Sequence, residues 1–333
     1  MYDLIAIGES LIDFTPSGTN DMGKPLFAQN PGGAPANVLA MCAKLGGRTA
    51  FIGKVGADTF GKFLTENMAQ AGIDVSGVRT DPNIPTTLAF VHLTADGDRS
   101  FSFYRKPGAD IMLTTEELPE ALITDCRIFH FGGVSLTDEP CRTATYAAVK
   151  MAKDAGAMIS YDPNFRPLLW GSADAGAEEL LEGVKLADVV KVSDEEMTLL
   201  TGETDLVAGC AALRAMGPSA VAVTMGPGGA HISCGGVELT LAAYDVSAMD
   251  TTGAGDAFFG SLLWQMGQEE YIRGFENWSQ DQWRRAVAFS NATGGLTATK
   301  KGAIPAMPGR EEIERCMGNV GLKGKKLKQI KNY

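Results

Sequence analysis

The 333-residue chain is long enough to bury a large core, and its 45% hydrophobic and 21% charged residues are typical of a globular protein. Its formal net charge of −11 argues against nucleic-acid binding, because phosphates would be repelled. Six scattered cysteines without a Cys-x-x-Cys pair predict reduced thiols. The sequence shows no basic signal-peptide region and no apolar run of about 18 residues. We therefore expect a cytoplasmic protein with no membrane partner.

The first 110 residues carry several β-prone segments and two helices. We predict strands at 4–8, 11–15, 26–29 and 49–52, and helices from Gly33 to about Leu45 and over 60–71. Segments 87–93 and 99–105 are β-prone and flank an Asp-Gly turn at 95–98. That pattern predicts a β-hairpin.

From about residue 120 onward, strand and helix patterns alternate. We predict strands at 128–131, 158–161, 189–192 and 220–224, and helices at 139–155, 175–186, 194–200 and 208–216. Alternation of this kind is typical of βαβ units in a doubly wound parallel sheet. The earlier β-rich segments do not fit the alternation, and they predict a small β element attached to a large α/β domain.

The segment Asp250–Phe258 is the strongest chemical motif in the chain. A helix is predicted over 257–266, so Gly253, Ala254 and Gly255 bring backbone N–H groups to a helix N-terminus. Such a site binds anions and stabilises developing negative charge. A carboxylate at such a site is repelled by the bound anion, so its presence there indicates a chemical role. Asp256 can accept the proton of a hydroxyl that attacks a γ-phosphate. The alternative is an Asp cap in a Gly-rich turn.

Two segments resemble the signatures of a known family, the ribokinase-like or PfkB sugar kinases. Asp250–Phe258 resembles the C-terminal signature, and Pro31–Gly61 resembles the N-terminal one. The resemblance implies a ribokinase-like three-layer α/β/α domain over residues 1–320, with a small β-sheet lid formed by about 11–30 and 84–106. Residues 321–333 remain as a basic C-terminal tail. The implied cofactors are ATP, Mg²⁺ and a monovalent cation such as K⁺, and the implied assembly is a homodimer through the lid.

The resemblance also assigns residues to a sugar site. Asp13, Gly33 and Asn37 would hold sugar hydroxyls, since a carboxylate and a carboxamide bind vicinal hydroxyls and a Gly pair lets a ligand lie against the backbone. Phe103 and Arg105 match lid residues that close over the sugar. A closing lid matters because water competes for the γ-phosphate.

The stretch Tyr161–Trp170 is similar to the corresponding segment of fructokinases. Arg166 lies just past the end of a predicted strand, where open α/β sheets bind ligands. It would contact the sugar or the transferred phosphoryl group. The alternative is an ion pair between Arg166 and Asp162.

The resemblance places the nucleotide and metal contacts in the second half of the chain. Glu196 matches the acid of the family's Asn-x-x-Glu motif, which organises Mg²⁺ and its waters, although Ser193 replaces the Asn. Ser193 and Glu196 also fit a helix capping box. Asp250 and Thr252 match a monovalent-cation site. The implied ATP contacts are Lys191, Thr224, Gly226, Gly229 and Asn291.

The predicted reaction is phosphorylation of D-fructose by ATP to fructose 6-phosphate, with Asp256 as the base and an anion hole at Gly253–Asp256. Three alternatives remain open. One is a kinase for 2-keto-3-deoxygluconate, whose acidic sugar would need a cation from Arg105 or Arg166. Another is a ribokinase- or nucleoside-type acceptor. The third is a sugar-binding regulator without catalysis, which the intact Asp256 argues against.

Overall fold

A nine-stranded sheet forms the centre of the molecule. The structure, a computed structural model, describes residues 1–93, 99–268 and 274–322. In chain order, the strands of this sheet are β1 (Tyr2–Ile7), β4 (Thr49–Gly56), β5 (Ile73–Asp81), β8 (Cys126–Gly132), β9 (Met158–Asp162), β10 (Val189–Ser193), β11 (Ala220–Thr224), β12 (Ala230–Cys234) and β13 (Val237–Leu241). Their order across the sheet is β13-β12-β11-β10-β9-β8-β1-β4-β5, and only the β11-β12-β13 edge is antiparallel.

Helices cover both faces of the sheet. They are α1 (Ala34–Lys44), α2 (Thr59–Gln70), α3 (Glu120–Ile123), α4 (Cys141–Asp154), α5 (Ala173–Leu186), α6 (Asp194–Thr201), α7 (Leu206–Arg214), α8 (Ala254–Met266), α9 (Gln280–Thr297) and α10 (Arg310–Leu322). One apolar core lies between the sheet and the face formed by α1, α8 and α9, and the other lies beneath α4, α5 and α7. The predicted three-layer α/β/α fold is therefore confirmed.

A smaller, four-stranded sheet carries the remaining strands, β2 (Leu11–Thr19), β3 (Pro25–Gly32), β6 (Leu88–Leu93) and β7 (Arg99–Tyr104), in the order β3-β2-β6-β7. The register aligns Asp13 with Ala89 and Ala89 with Phe103, so these three side chains form one row on one face. The opposite face packs Ile12 and Phe14 against α2. The predicted turn at 95–98 and tail residues 323–333 lie outside the described residues.

Helices α1 and α8 pack unusually close to each other because α8 carries a glycine at the contact. A Cβ atom on Gly260 would lie 2.4 Å from the Val38 carbonyl oxygen of α1. Any larger residue would therefore push the two helices apart. Within residues 1–93, 99–268 and 274–322, no helix is both long enough and apolar enough to cross a membrane.

Candidate active site

A buried ion pair marks the carboxyl end of the central strands. Asp162 is the last residue of β9, and its Oδ2 accepts from the Lys191 Nζ of β10 at 2.9 Å. Burial acts to lower the pKa of Lys191, but Asp162, Glu196 and Asp256 outweigh it and raise that pKa. Lys191 therefore stays an ammonium group at the edge where open α/β sheets bind ligands.

The turn before α8 brings backbone N–H groups to the same edge. Gly253 has a φ of 75°, a left-handed conformation that favours glycine, and a Cβ there would lie 2.5 Å from the Ala303 Cβ. Helix α8 begins at Ala254, three residues earlier than predicted. The Ala254 N–H donates to the Thr251 carbonyl, so the amides of Gly255 and Asp256 are those of the first turn that lack an acceptor within the helix.

Asp256 lies in the first turn of α8 and contacts α1. Its Oδ2 accepts from the Asn37 Nδ2 at 2.8 Å. Burial is the main cause that raises the pKa of Asp256, and the nearby charge of Asp162 adds to it, while Lys191 acts in the opposite direction. A base with a raised pKa lies closer to the operating pH of general acid–base catalysis. The structure thus joins Asn37, Asp256 and the Lys191–Asp162 pair in one site.

The N-terminus of α1 is shaped by Gly33 and Glu9. Gly33 has a φ of 120°, and a Cβ there would lie 2.4 Å from the Glu9 carbonyl oxygen. Asn37 follows one turn later, and its Oδ1 is buried without a partner within the described residues. A buried amide oxygen of this kind requires a hydrogen-bond donor, and a hydroxyl group has one to offer.

Asp13 approaches the site from the small sheet. Loss of contact with water raises its pKa to about 6, although Arg166 lowers it, and Asp256 raises it further. These couplings show that Asp13, Arg166 and Asp256 share one electrostatic environment. Arg166 is exposed and donates to the Phe165 carbonyl at 3.1 Å, while Asp162 pairs with Lys191 instead.

Arg105 follows the last strand of the small sheet and is buried. It makes an ion pair with Asp110, with 2.7 Å between Nε and Oδ2. Its Nη1 donates to the Thr137 Oγ1 at 2.7 Å, and its Nη2 donates to the Val134 carbonyl at 3.1 Å. The structure therefore gives Arg105 partners inside the protein that the sequence did not predict.

Glu196 forms the predicted capping box at the start of α6. The Ser193 Oγ accepts from the Glu196 N–H at 3.0 Å, and the Glu196 Oε2 accepts from the Ser193 N–H at 2.8 Å. Its Oε1 accepts from the Phe165 N–H at 2.7 Å, which ties α6 to the loop after β9. Glu196 thus lies beside the Tyr161–Trp170 stretch.

Four of the five predicted nucleotide contacts lie at the antiparallel edge of the large sheet, apart from Lys191 on β10. The turn between β11 and β12 includes Gly226 and Gly229, both with positive φ, and Thr224 ends β11. A Cβ on Gly229 would lie 2.0 Å from the Leu241 carbonyl oxygen. The Asn291 Nδ2 donates to that same carbonyl at 3.1 Å. The structure therefore brings the β11–β12 turn and α9 together at the end of β13.

Asp250 organises the segment before the Gly253 turn. Its Oδ1 accepts from the N–H and the Oγ1 of Thr252, at 3.0 and 2.7 Å. Its Oδ2 accepts from the Gly302 N–H at 3.0 Å, and its own N–H donates to the Ala298 carbonyl at 3.1 Å. The segment of Asp250 and Thr252, which the resemblance associated with a monovalent cation, therefore lies next to the segment from Ala298 to Gly302.

Comparison with known proteins places this geometry in a family. The profile of the pfkB family carbohydrate kinases matches residues 1–310. The chain belongs to the pfkB family. The kinase is 43% identical to Fructokinase-1 of Oryza sativa subsp. japonica over 320 residues, which cover 94% of this chain and 97% of the rice protein.

Solved kinase structures share the fold over nearly the whole chain. A fructokinase of Xylella fastidiosa with bound ATP superposes with a TM-score of 0.89 at 34% identity, covering 96% of this chain and all of that one. A fructokinase of Vibrio cholerae O395 in a form with bound fructose, ADP and calcium superposes with a TM-score of 0.83 at 32% identity, covering 94% and 98% of the two chains. The predicted family and fold class are confirmed.

Two buried acids of the pfkB kinase were not singled out from the sequence. Glu9 follows β1, and its Oε1 accepts from the Ala34 N–H at 3.0 Å. Asp110 lies in the short 3₁₀ turn Ala109–Met112 and pairs with Arg105. The only sequence signal was the placement of Glu9 directly after a strand-ending glycine. Asp110 gave none, because its partnership depends on the position of Arg105 in three dimensions.

Proposed function

We propose that this ATP-dependent carbohydrate kinase transfers the γ-phosphoryl group of ATP to the primary hydroxyl of D-fructose and yields fructose 6-phosphate. One observation carries the chemistry: the partly buried Asp256 carboxylate lies in the first turn of α8, where it accepts from Asn37 and stands beside amides that suit a phosphoryl group. The similarity to fructokinases over more than nine-tenths of the chain supports fructose as the acceptor.

In this proposal, Asp256 takes the proton of the hydroxyl as its oxygen attacks the γ-phosphorus. The bond from that phosphorus to the β–γ bridging oxygen breaks, and ADP leaves with the electron pair. The amides of Gly255 and Asp256 stabilise the charge on the transferring group, aided by Lys191. Gly255 suits this position, since a Cβ there would lie 3.4 Å from the Lys191 Nζ and narrow the space between amide and ammonium.

The other predicted contacts complete the proposed complex. The proposed sugar contacts are Asp13, Gly33, Asn37, Phe103, Arg105 and Arg166. Asp13 and Phe103 lie in one row on one face of the small sheet, which supports their acting together. We propose that the small sheet, about residues 11–30 and 84–106, serves as the lid of a kinase domain spanning 1–320. The proposed ATP contacts are Lys191, Thr224, Gly226, Gly229 and Asn291.

Glu196 and its neighbours suit a Mg²⁺ ion that is bound through water molecules. Both Glu196 oxygens already accept a backbone N–H, but a carboxylate has about four acceptor sites, so each oxygen can accept another donor. The described part of the chain contains no group of three or more His, Cys, Asp or Glu side chains that could hold a metal. Mg²⁺ usually keeps several waters and binds substrate phosphates, where it neutralises their charge.

The Asp250 segment fits a monovalent cation. It combines a carboxylate, the Thr252 hydroxyl and the backbone near Ala298 and Gly302, all of which supply oxygen atoms or shape an oxygen-lined loop. Hard cations prefer oxygen ligands of this kind. We propose K⁺ here, with Asp250 and Thr252 as contacts, and a potassium dependence of the ATP KM as the measurement.

The small sheet also supports a homodimer. Leu26, Phe27 and Tyr104 are exposed apolar side chains on it, and Phe90 joins the rings of Phe27 and Tyr104 at centroid distances of 5.7 Å. Exposed apolar patches on soluble proteins commonly mark interaction surfaces. Light scattering should give twice the chain's 35.2 kDa mass, and a monomer at all concentrations would contradict this assembly.

We propose the cytoplasm as the location of the kinase. All six cysteines are free, and five of them are buried. Unpaired thiols are typical of a reducing compartment. Fractionation of the native host would test this placement, and recovery in an oxidising compartment would contradict it.

A sugar panel tests the proposed acceptor. ADP release is measured with fructose, 2-keto-3-deoxygluconate, ribose and nucleosides, and kcat/KM is compared across them. We expect the highest value for fructose. A higher value for the keto acid would replace fructose by an acidic sugar, and sugar binding without ADP release would identify a non-catalytic binder.

A further inference from the structure

Arg105 is paired with acidic side chains inside the described part of the protein: Asp110 contacts it directly, and the exposed Asp138 carboxylate lies 3.9 Å from its Nη1. The guanidinium and the Asp110 carboxylate are 4% and 1% exposed, with 2.7 Å between Nε and Oδ2. Asp110 is fixed in turn, since its Oδ1 accepts from the Thr87 hydroxyl. Removing one member of such a pair leaves an uncompensated buried charge, so the two are mutually dependent.

The bonding of Arg105 leaves hydrogen-bond donors but no unbalanced charge. A guanidinium has five N–H donors, and three bonds to Asp110, Thr137 and Val134 leave two of them. These two can serve a neutral hydroxyl. A ligand carboxylate, by contrast, would have to compete with the Asp110 charge already in contact.

Arg105 lies close to the proposed sugar site. Its partner Asp110 accepts from the Thr87 hydroxyl, and the Thr87 carbonyl accepts from the Ile12 N–H at 3.1 Å, next to Asp13. The Arg105 charge also acts on Glu9, whose Oε1 accepts from the Ala34 N–H at the start of α1. Other acids share this region: Asp13 and Asp256 interact electrostatically with each other. A sugar carrying a carboxylate would therefore meet repulsion there as well as a neutralised arginine.

We propose that Asp110 is a specificity-determining residue, which neutralises Arg105 inside the fold so that the pocket accepts neutral sugars and rejects sugar acids. This inference rests on the proposed fructose kinase activity. It explains how one pocket can contain an arginine and still select an uncharged acceptor. Asp110 itself acts through Arg105 and is not a catalytic residue.

The substitution Asp110→Asn tests the inference. It retains the shape of the side chain and an oxygen that accepts from Arg105, but it removes the compensating charge. We expect the ratio of kcat/KM for 2-keto-3-deoxygluconate to kcat/KM for fructose to rise at least about tenfold, the scale of one added charge-assisted hydrogen bond. Because the ratio is taken within one variant, a partial loss of folded protein cancels.

Two controls separate charge from loosened packing. Asp81 of β5 is another buried acid, and its Oδ2 lies 3.3 Å from the Lys54 Nζ. Asp81→Asn removes that charge, and the ratio should stay unchanged. In the double variant Asp110→Asn/Arg105→Gln, the gain should disappear, because no cation remains. A similar gain in Asp81→Asn, or a gain that survives the double substitution, would overturn the proposal.

A second variant covers the case in which Asp110→Asn does not fold. Thr137→Val removes the acceptor of Nη1 but keeps both charges, so the ratio should rise less than about threefold. A large rise there would show that position, not charge, sets the preference and would overturn the inference. If the wild-type enzyme uses fructose and Asp110→Asn leaves the ratio unchanged, only this inference is wrong. If the wild-type enzyme prefers the keto acid, the proposed function is wrong.

Discussion

The proposed phosphoryl-transfer side and the proposed sugar side of the site are built differently. On the phosphoryl side, Asp256, Lys191 and Asp162 lie on elements of the large sheet and its first helix layer, and each contacts a buried neighbour. On the sugar side, Asp13 lies on the small sheet and Arg166 on an exposed loop. In the described part of the chain, the two sides connect where Asn37 donates to Asp256 and where the charges of Asp13, Arg166 and Asp256 act on one another.

This difference assigns separate tasks to the two regions. Phosphoryl transfer needs groups held in fixed geometry, and buried hydrogen-bonded contacts provide it. Acceptor choice depends on a few side chains, which a second sheet can vary without disturbing the core. Substitutions on the phosphoryl side should therefore change kcat for every acceptor, whereas those on the sugar side should change the preference among acceptors.

The largest expected effect comes from Asp256→Asn. The amide cannot accept a proton, so kcat should fall by about 10²–10⁴, the range of general base catalysis. Binding of ATP and fructose, measured by calorimetry, should change little. Asp58→Asn is the matched control, since Asp58 also sits at a helix N-terminus, where its Oδ1 accepts from the Gly61 N–H at 2.8 Å. Its kcat should stay within about twofold, and a kcat for Asp256→Asn near that of the wild type would reduce Asp256 to a helix cap.

A medium effect is expected from Glu9→Gln, on stability. Burial raises the pKa of Glu9 from 4.5 to about 7, so the folded state prefers the protonated acid. The contribution of this protonated group is fully present below pH 4.5 and is lost as the pH rises through about 7. Gln is uncharged throughout and keeps the oxygen that accepts from Ala34. Its free energy of unfolding should therefore exceed that of the wild type by up to about 3 kcal/mol at pH 8 and by little at pH 4.5.

Denaturant unfolding at the two pH values measures this difference. Glu311→Gln is the control, because Glu311 is exposed on α10 and should show no such pH dependence. An equal effect of Glu9→Gln at both pH values would mean that Glu9 is already compensated when ionised. In that case the negative charge of Glu9 would be compensated within the fold, as the charge of Asp162 is compensated by Lys191.

The smallest effect is expected from Ser193→Ala. It removes one bond of the α6 capping box and should cost about 1 kcal/mol of stability. Ser279 caps α9 in the same way with Gln282, so Ser279→Ala should cost a similar amount. Only Ser193→Ala should raise the Mg²⁺ concentration needed for half-maximal activity, because it loosens Glu196. Equal Mg²⁺ dependence in the two variants would limit Glu196 to its capping role.

Local signals in the sequence predicted the features that depend on local structure. The Gly253–Asp256 turn and the Ser193–Glu196 capping box each lie within a few residues, so their chemistry is visible in the chain. The alternating strands and helices after residue 120 were predicted for the same reason, with ends that differ by at most three residues. Fraying and capping make helix ends the least certain part of such predictions.

Features that depend on distant pairs were not predicted. Lys191 and Asp162 are 29 positions apart, and their pairing follows from the neighbouring positions of β9 and β10 in the sheet. The partners of Arg105 come from Asp110, Thr137 and Val134, which no local pattern connects. Strands β5, β12 and β13 and helices α3, α9 and α10 were also not predicted, and in β5 buried and partly buried positions do not alternate regularly.

The contact between α1 and α8 has a consequence for the accuracy of catalysis. Asn37 belongs to α1 and Asp256 to α8, so the 2.8 Å hydrogen bond between them depends on the distance between the two helices. That separation is set one turn further along α8, where Gly260 admits the Val38 carbonyl. The direction of the Asp256 carboxylate in the proposed proton transfer therefore depends on the absence of a side chain at Gly260, in the apolar core.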